Sequence, residues 1–207
     1  MDAGAIESIL AFPTHIYTVE KPEFVSQVRS VAMEAMPTDD KLDEIYPVRM
    51  SLPIQDDLRL HPFSEYVAVT AGNILSDQGY LTDGMGAVFE SMWCQEHYKH
   101  SGMDQHTHPG TLMAGFYFLD VPPKSSAMTF FDPRSGKVAS GTQEANPSDI
   151  TYASNSFNMA PRPGLLVFAN SWLPHSFTRH ADDFPLRFVH FNVNLVKHKF
   201  ENIVEVI

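Results

Sequence analysis

The 207-residue sequence predicts a mainly β fold, a sandwich, barrel or jelly roll, with helices packed against it from the N-terminal third. Two observations carry this expectation. Up to about residue 83 apolar residues recur at three- and four-residue steps, the period of a helix with one buried face. Beyond residue 84 the period changes to short aromatic and β-branched runs separated by Pro, Gly, Ser and Asp clusters, the pattern of strands and turns.

The elements follow in order. In PEFVSQVRSVAMEAM the positions Phe24, Val25, Val28, Val31, Ala32 and Ala35 share a stripe, and Pro22 sits where a first helical turn needs no N–H. FSEYVAVTAGNILSDQGY repeats the pattern through Phe63, Tyr66, Val67, Ala71, Ile74 and Leu75, and Gly79 supplies a stop. AVFESMWCQEH, LMAGFYFLDV, AMTFFD, GLLVFA and LRFVHFNVNLV then read as strands. The weakly patterned stretch from Arg134 to Met159 reads as a loop over one end of the sheet. No repeat or linker divides the chain, so a single domain is expected over 1–207, with 1–83 as a mainly helical buttress and 84–198 as the β core.

Composition removes several functions. A formal charge of −11, with 14 Lys and Arg, opposes a surface that follows phosphates, so no nucleic acid partner is expected. The one cysteine, Cys94, allows neither an internal disulfide nor a thiolate zinc cluster. No run of about 18 apolar residues is present, and the N-terminus lacks the basic start of a secretory signal. A cytoplasmic protein is the expectation. The edge strands and the β-prone tail ENIVEVI leave a homodimer open.

Chemistry concentrates in QHTHPG, Gln105–Gly110. On a strand, residues two apart share a face, so His106 and His108 can lean toward one point. Imidazole is a good ligand for first-row metals, and a further ligand must come from elsewhere in the chain. His175, in PGLLVFANSWLPHSF, follows an apolar strand and a turn and enters the next strand, which suits it for that part. Asp104, two residues before His106, is a second candidate. The other histidines, His15, His61, His97, His100, His180, His190 and His198, read as surface or packing residues. A cupin would carry Glu a few residues beyond the pair, where Thr111, Leu112 and Met113 stand, and a binuclear hydrolase would continue H-x-D-H.

Taken together, Trp93, HTHP, GFYFL, FDPR, PGLLVFANSWLPH and RFVHFN resemble the 2-oxoglutarate and Fe(II) dependent oxygenases of bacteria and their phages. The resemblance spans about Trp93 to Asn194. It implies a double-stranded β-helix, a jelly roll of the cupin-like kind, and a cytoplasm of bacterial or phage-infected origin. It further implies an enzyme that uses Fe(II), 2-oxoglutarate and O2 to hydroxylate a small-molecule or peptide substrate. His106 and His175 match the metal histidines of such enzymes, and His108 occupies the position at which they usually carry a carboxylate, so the third ligand is His108, Asp104 or, if neither binds, water. Arg187 matches the basic residue that grips the far carboxylate of 2-oxoglutarate, a task suited to a guanidinium fork. Tyr117 matches a tyrosine that donates to the oxoacid if its strand register turns it inward. Trp172, Arg134 and Asn192 are further pocket candidates. Two readings compete with it: a three-histidine zinc hydrolase, lyase or cupin-type dioxygenase that uses no oxoacid, and a metal-stabilised jelly roll without turnover.

Overall fold

The computed structural model describes residues 6–39 and 41–197. Within these residues ten strands form two antiparallel sheets. The larger contains β1 (Ile16–Glu20), β2 (Val48–Met50), β3 (Met85–His97), β5 (Met113–Asp120), β8 (Leu165–Asn170) and β10 (Leu186–Lys197). Its order is β1-β8-β5-β10-β3-β2. The smaller, in the order β4-β9-β6-β7, contains β4 (Met103–His106), β6 (Met128–Phe131), β7 (Ser156–Met159) and β9 (His175–Phe177). Consecutive strands repeatedly change sheet, which is the winding of a jelly roll.

Two helices cover the outer face of the larger sheet. The first, α1 (Val25–Glu34), follows a 3-10 turn that begins at Pro22, and it buries Val28, Val31 and Ala32. The second, α2 (His61–Asp77), buries Phe63, Val67, Ala71, Ile74 and Leu75, the stripe anticipated from its spacing. Gly79 ends it in the left-handed region at φ +86, which glycine enters without steric cost.

Strand parity divides the core into two layers. Met113, Tyr117, Leu119, Val189, Phe191 and Val193 pack with the helices, whereas Phe116, Phe118, Leu186 and Phe188 lie between the sheets with Phe130 and Phe177. Buried area of this kind stabilises at about 25 cal/mol per Å². Gly115 of β5 is required by that packing. A Cβ there would lie 2.1 Å from the Phe191 ring, too close for any side chain without displacement.

Some expectations need correction. The mainly helical buttress also contributes β1 and β2, which extend the larger sheet at both edges. The stretch 134–159 is not pure loop, since it holds the short helix α3 (Ser135–Ala139) and strand β7, which pairs with β6 from Met159 against Met128. The tail ENIVEVI lies outside the described residues, as does His198. Among the described residues no helix is long and apolar enough to cross a membrane.

Candidate metal centre

Backbone hydrogen bonds bring the distant histidines together. His106 closes β4 and pairs in register with His175, the first residue of β9. His108 lies beyond the strand end, so strand alternation does not orient it. Its N–H instead donates to the Ser171 carbonyl at 2.9 Å, and the Ser171 N–H donates to the Leu112 carbonyl at 3.1 Å. The turn after His108 is thereby fastened to the turn before His175. Gly110 takes φ +88 in that turn, a conformation that explains glycine after Pro109.

One ring nitrogen from each of His106, His108 and His175 lies within 4.8 Å of the other two. His108 Nε2 and His175 Nε2 are 3.2 Å apart. Two imidazoles bound to one cation at about 2.1 Å would hold their nitrogens roughly 3.0 Å apart at a right angle and roughly 3.4 Å apart at a tetrahedral one, so the observed spacing suits a shared ion. Proton placement agrees. His106 Nδ1 faces the Asp104 carbonyl at 2.8 Å and His175 Nδ1 faces the Leu173 carbonyl at 3.0 Å. A carbonyl only accepts, so each Nδ1 carries the proton and each Nε2 keeps a lone pair for a metal, the tethering commonly found behind metal histidines. Burial, with the neighbouring His106, lowers the His108 pKa to about 4. Burial likewise lowers His175 to about 4 against the raising effect of the Leu173 carbonyl. Both are neutral near pH 7, which is the ligating form.

The other candidates fall elsewhere. Asp104 is exposed and turns its carbonyl, not its carboxylate, to His106. Arg187 shares the helix-facing side of β10 with Val189 and Phe191. Its Nε donates to Glu96 Oε1 at 2.5 Å and its NH1 to Asp120 Oδ2 at 3.2 Å. Tyr117 also faces the helices, where it stacks obliquely on Phe63 and its hydroxyl donates to the Lys21 carbonyl at 2.5 Å. Neither residue is brought to the histidines. The bare ring of Phe116 is there instead, 5.2 Å from the His175 ring. Trp172 is 45% exposed beside the turn. Arg134 is held by Asp132 and lines a cavity of about 530 Å³ together with Ile16, Phe130, Phe157 and Leu173. Asn192 is buried and donates to Ser91 Oγ at 3.1 Å.

His190, read from the sequence as a surface or packing residue, lies beside the triad. It is 1% exposed, and its ring lies 4.5 Å from the His108 ring and 4.6 Å from the Trp93 indole. The available signal was parity, because Phe188, His190 and Asn192 alternate with the purely apolar Val189, Phe191 and Val193.

Residues 91–192 match the family model described as "Putative 2OG-Fe(II) oxygenase". Over this core the chain belongs to the 2OG-Fe(II) oxygenase family. A comparison with curated proteins finds no match. Among solved structures, the oxygenase resembles AviO1 from Streptomyces viridochromogenes Tue57 at TM-score 0.59 and 12% identity, over 87% of this chain and 90% of that one. A Pseudomonas putida prolyl-4-hydroxylase gives TM-score 0.54 and 12% identity over 87% and 93%. HygX from Streptomyces hygroscopicus, solved with nickel and 2-oxoglutarate, gives 0.55 and 12% over 87% and 83%. At these identities the likeness establishes a shared fold, the double-stranded β-helix.

Proposed function

We propose that His106, His108 and His175 hold a single Fe(II) ion, and that this oxygenase uses it with 2-oxoglutarate and O2 to hydroxylate a C–H bond of a small molecule. The observation that supports it best is the convergence of three imidazoles, two with Nδ1 tied to a backbone carbonyl. Iron supplied with oxoacid and oxygen provides the oxidising power that side chains lack. Three protein ligands leave coordination positions for exogenous groups, unlike a closed structural site.

The chain's own residues orient and exclude water. The carbonyls of Asp104 and Leu173 fix two ring planes, and the Ser171 carbonyl fixes the backbone of the third histidine. Phe116 and Phe130 border His175 with ring separations of 5.2 and 6.2 Å, giving the inner side of the site an apolar wall. The cavity lined by Phe130, Leu173 and Arg134 shares that wall, and its size suits a small-molecule substrate.

Anaerobic addition of 2-oxoglutarate to the iron-loaded protein tests this directly. A visible charge-transfer band, followed on aeration by succinate release and oxygen uptake, is the expected result. Zinc bound with no response to the oxoacid would place the chain with three-histidine hydrolases or lyases.

A further inference from the structure

Four buried polar atoms without a hydrogen-bond partner sit side by side on β3 and β10: Trp93 Nε1, both ring nitrogens of His190, and Asn192 Oδ1. His190 pairs in register with Trp93, and Asn192 with Ser91. A backbone group that acts on the His190 ring, at Gly115, lies outside hydrogen-bonding geometry. Buried groups of this kind are normally satisfied, and each specific exception calls for an explanation such as an absent ligand. Their place in the fold supplies one. All four occupy the face of the larger sheet that looks toward the smaller, and the His190 ring adjoins that of His108.

The inner face of β10 carries Leu186, Phe188, His190 and Asn192, so it offers no guanidinium or ammonium. Arg187 points the other way and is engaged by two carboxylates, Glu96 and Asp120. A dicarboxylate bound at the triad by one end still needs donors for its other end. Trp93 supplies one N–H that can only donate, and a neutral imidazole supplies a second. Asn192 and Ser91 close the same corner through their mutual hydrogen bond. The four atoms are sealed from solvent, so the ligand would enter past the half-buried His106 and His108 and be accompanied by turning of the His190 ring.

We propose that Trp93 and His190, and not Arg187, receive the far carboxylate of the oxoacid cosubstrate. This rests on the reading of the triad as a 2-oxoglutarate-dependent iron centre. An anchor of neutral donors has a distinct consequence, namely that removing either donor weakens 2-oxoglutarate binding and leaves binding of 2-oxopentanoate, which lacks the far carboxylate, unchanged.

The test is anaerobic titration of the iron-loaded full chain with each oxoacid, after iron binding has been measured separately for every variant. W93F and H190L are expected to raise the 2-oxoglutarate Kd about tenfold or more, the loss typical of a hydrogen bond to a charged group, with the 2-oxopentanoate Kd as in the wild type. R187M is expected to change neither. Unaltered 2-oxoglutarate binding in both W93F and H190L would overturn the assignment, as would weakened binding in R187M with iron retained. Loss of iron by H190L would also overturn it, by making His190 a metal ligand. If the iron-loaded wild type binds neither oxoacid, the reading of the centre itself fails and the assignment falls with it.

Discussion

Replacing Arg187 by Met should lower stability while sparing the metal centre. The Glu96 side chain is 3% exposed and meets Arg187 Nε at 2.5 Å, Arg49 NH1 at 3.5 Å and the Tyr98 hydroxyl, which donates at 2.8 Å. Asp120 keeps a second cation, Arg29 at 2.6 Å. Leaving a buried charge wholly unpaired costs about 3–5 kcal/mol. Here Arg49 and Tyr98 remain, and the Arg187 side chain is 28% exposed, so screening reduces the loss to about 2–3 kcal/mol. For a chain of this length that corresponds to a fall in Tm of roughly 4–12 °C. Thermal unfolding followed by circular dichroism would measure it, and E96Q/R187M should recover part of the loss because a neutral amide needs no counter-charge. An R187M protein that melts with the wild type would refute the reasoning about this buried network.

Three further outcomes follow from the same geometry. H175A should lose stoichiometric Fe(II) or Co(II) binding, and the rise in Tm that the metal gives the wild type should vanish, as differential scanning with and without metal would show. Buried His97 has its pKa lowered to about 3 by desolvation, with a smaller effect from His180. Because the unfolded chain then binds a proton that the folded chain refuses, stability falls as pH drops from about 6.5 toward 3, by about 1.4 kcal/mol per pH unit for this one group. Urea titrations across that window should show a slope smaller by about this amount in H97F, and an unchanged slope would contradict the account. G115A should cost about 1–3 kcal/mol through the clash with Phe191, and an equally stable protein would show that the ring gives way freely.

Much of the molecule was legible because its signals are local. The stripes of α1 and α2 and the runs of β3, β5, β6, β8 and β10 follow directly from residue spacing. His106, His108 and His175 stood out because histidine before Pro–Gly, and histidine after a strand and turn, have few ordinary explanations. The structure turns the two cosubstrate candidates, Arg187 and Tyr117, to the helix side of the larger sheet. Tyr117 lies in GFYFL, a strand buried on both faces that shows no alternation between polar and apolar, whereas Arg187 shares its parity on β10 with the apolar Val189, Phe191 and Val193, opposite His190 and Asn192. His108 arrived by a different route from the one its spacing implied. β4 ends at His106, and the Ser171 hydrogen bond, a contact between residues far apart in sequence, sets the backbone of the third histidine. The edge strands β1 and β2 were missed because five and three residues are too few to show a period.

The central claim is that three imidazoles share one ion. A crystal structure of the protein soaked anaerobically in Fe(II) measures this most directly. The account predicts a single metal peak at bonding distance, about 2.0–2.2 Å, from His106, His108 and His175 together. Iron bound at some other group of side chains, or a peak that leaves His175 without a bond, would contradict it.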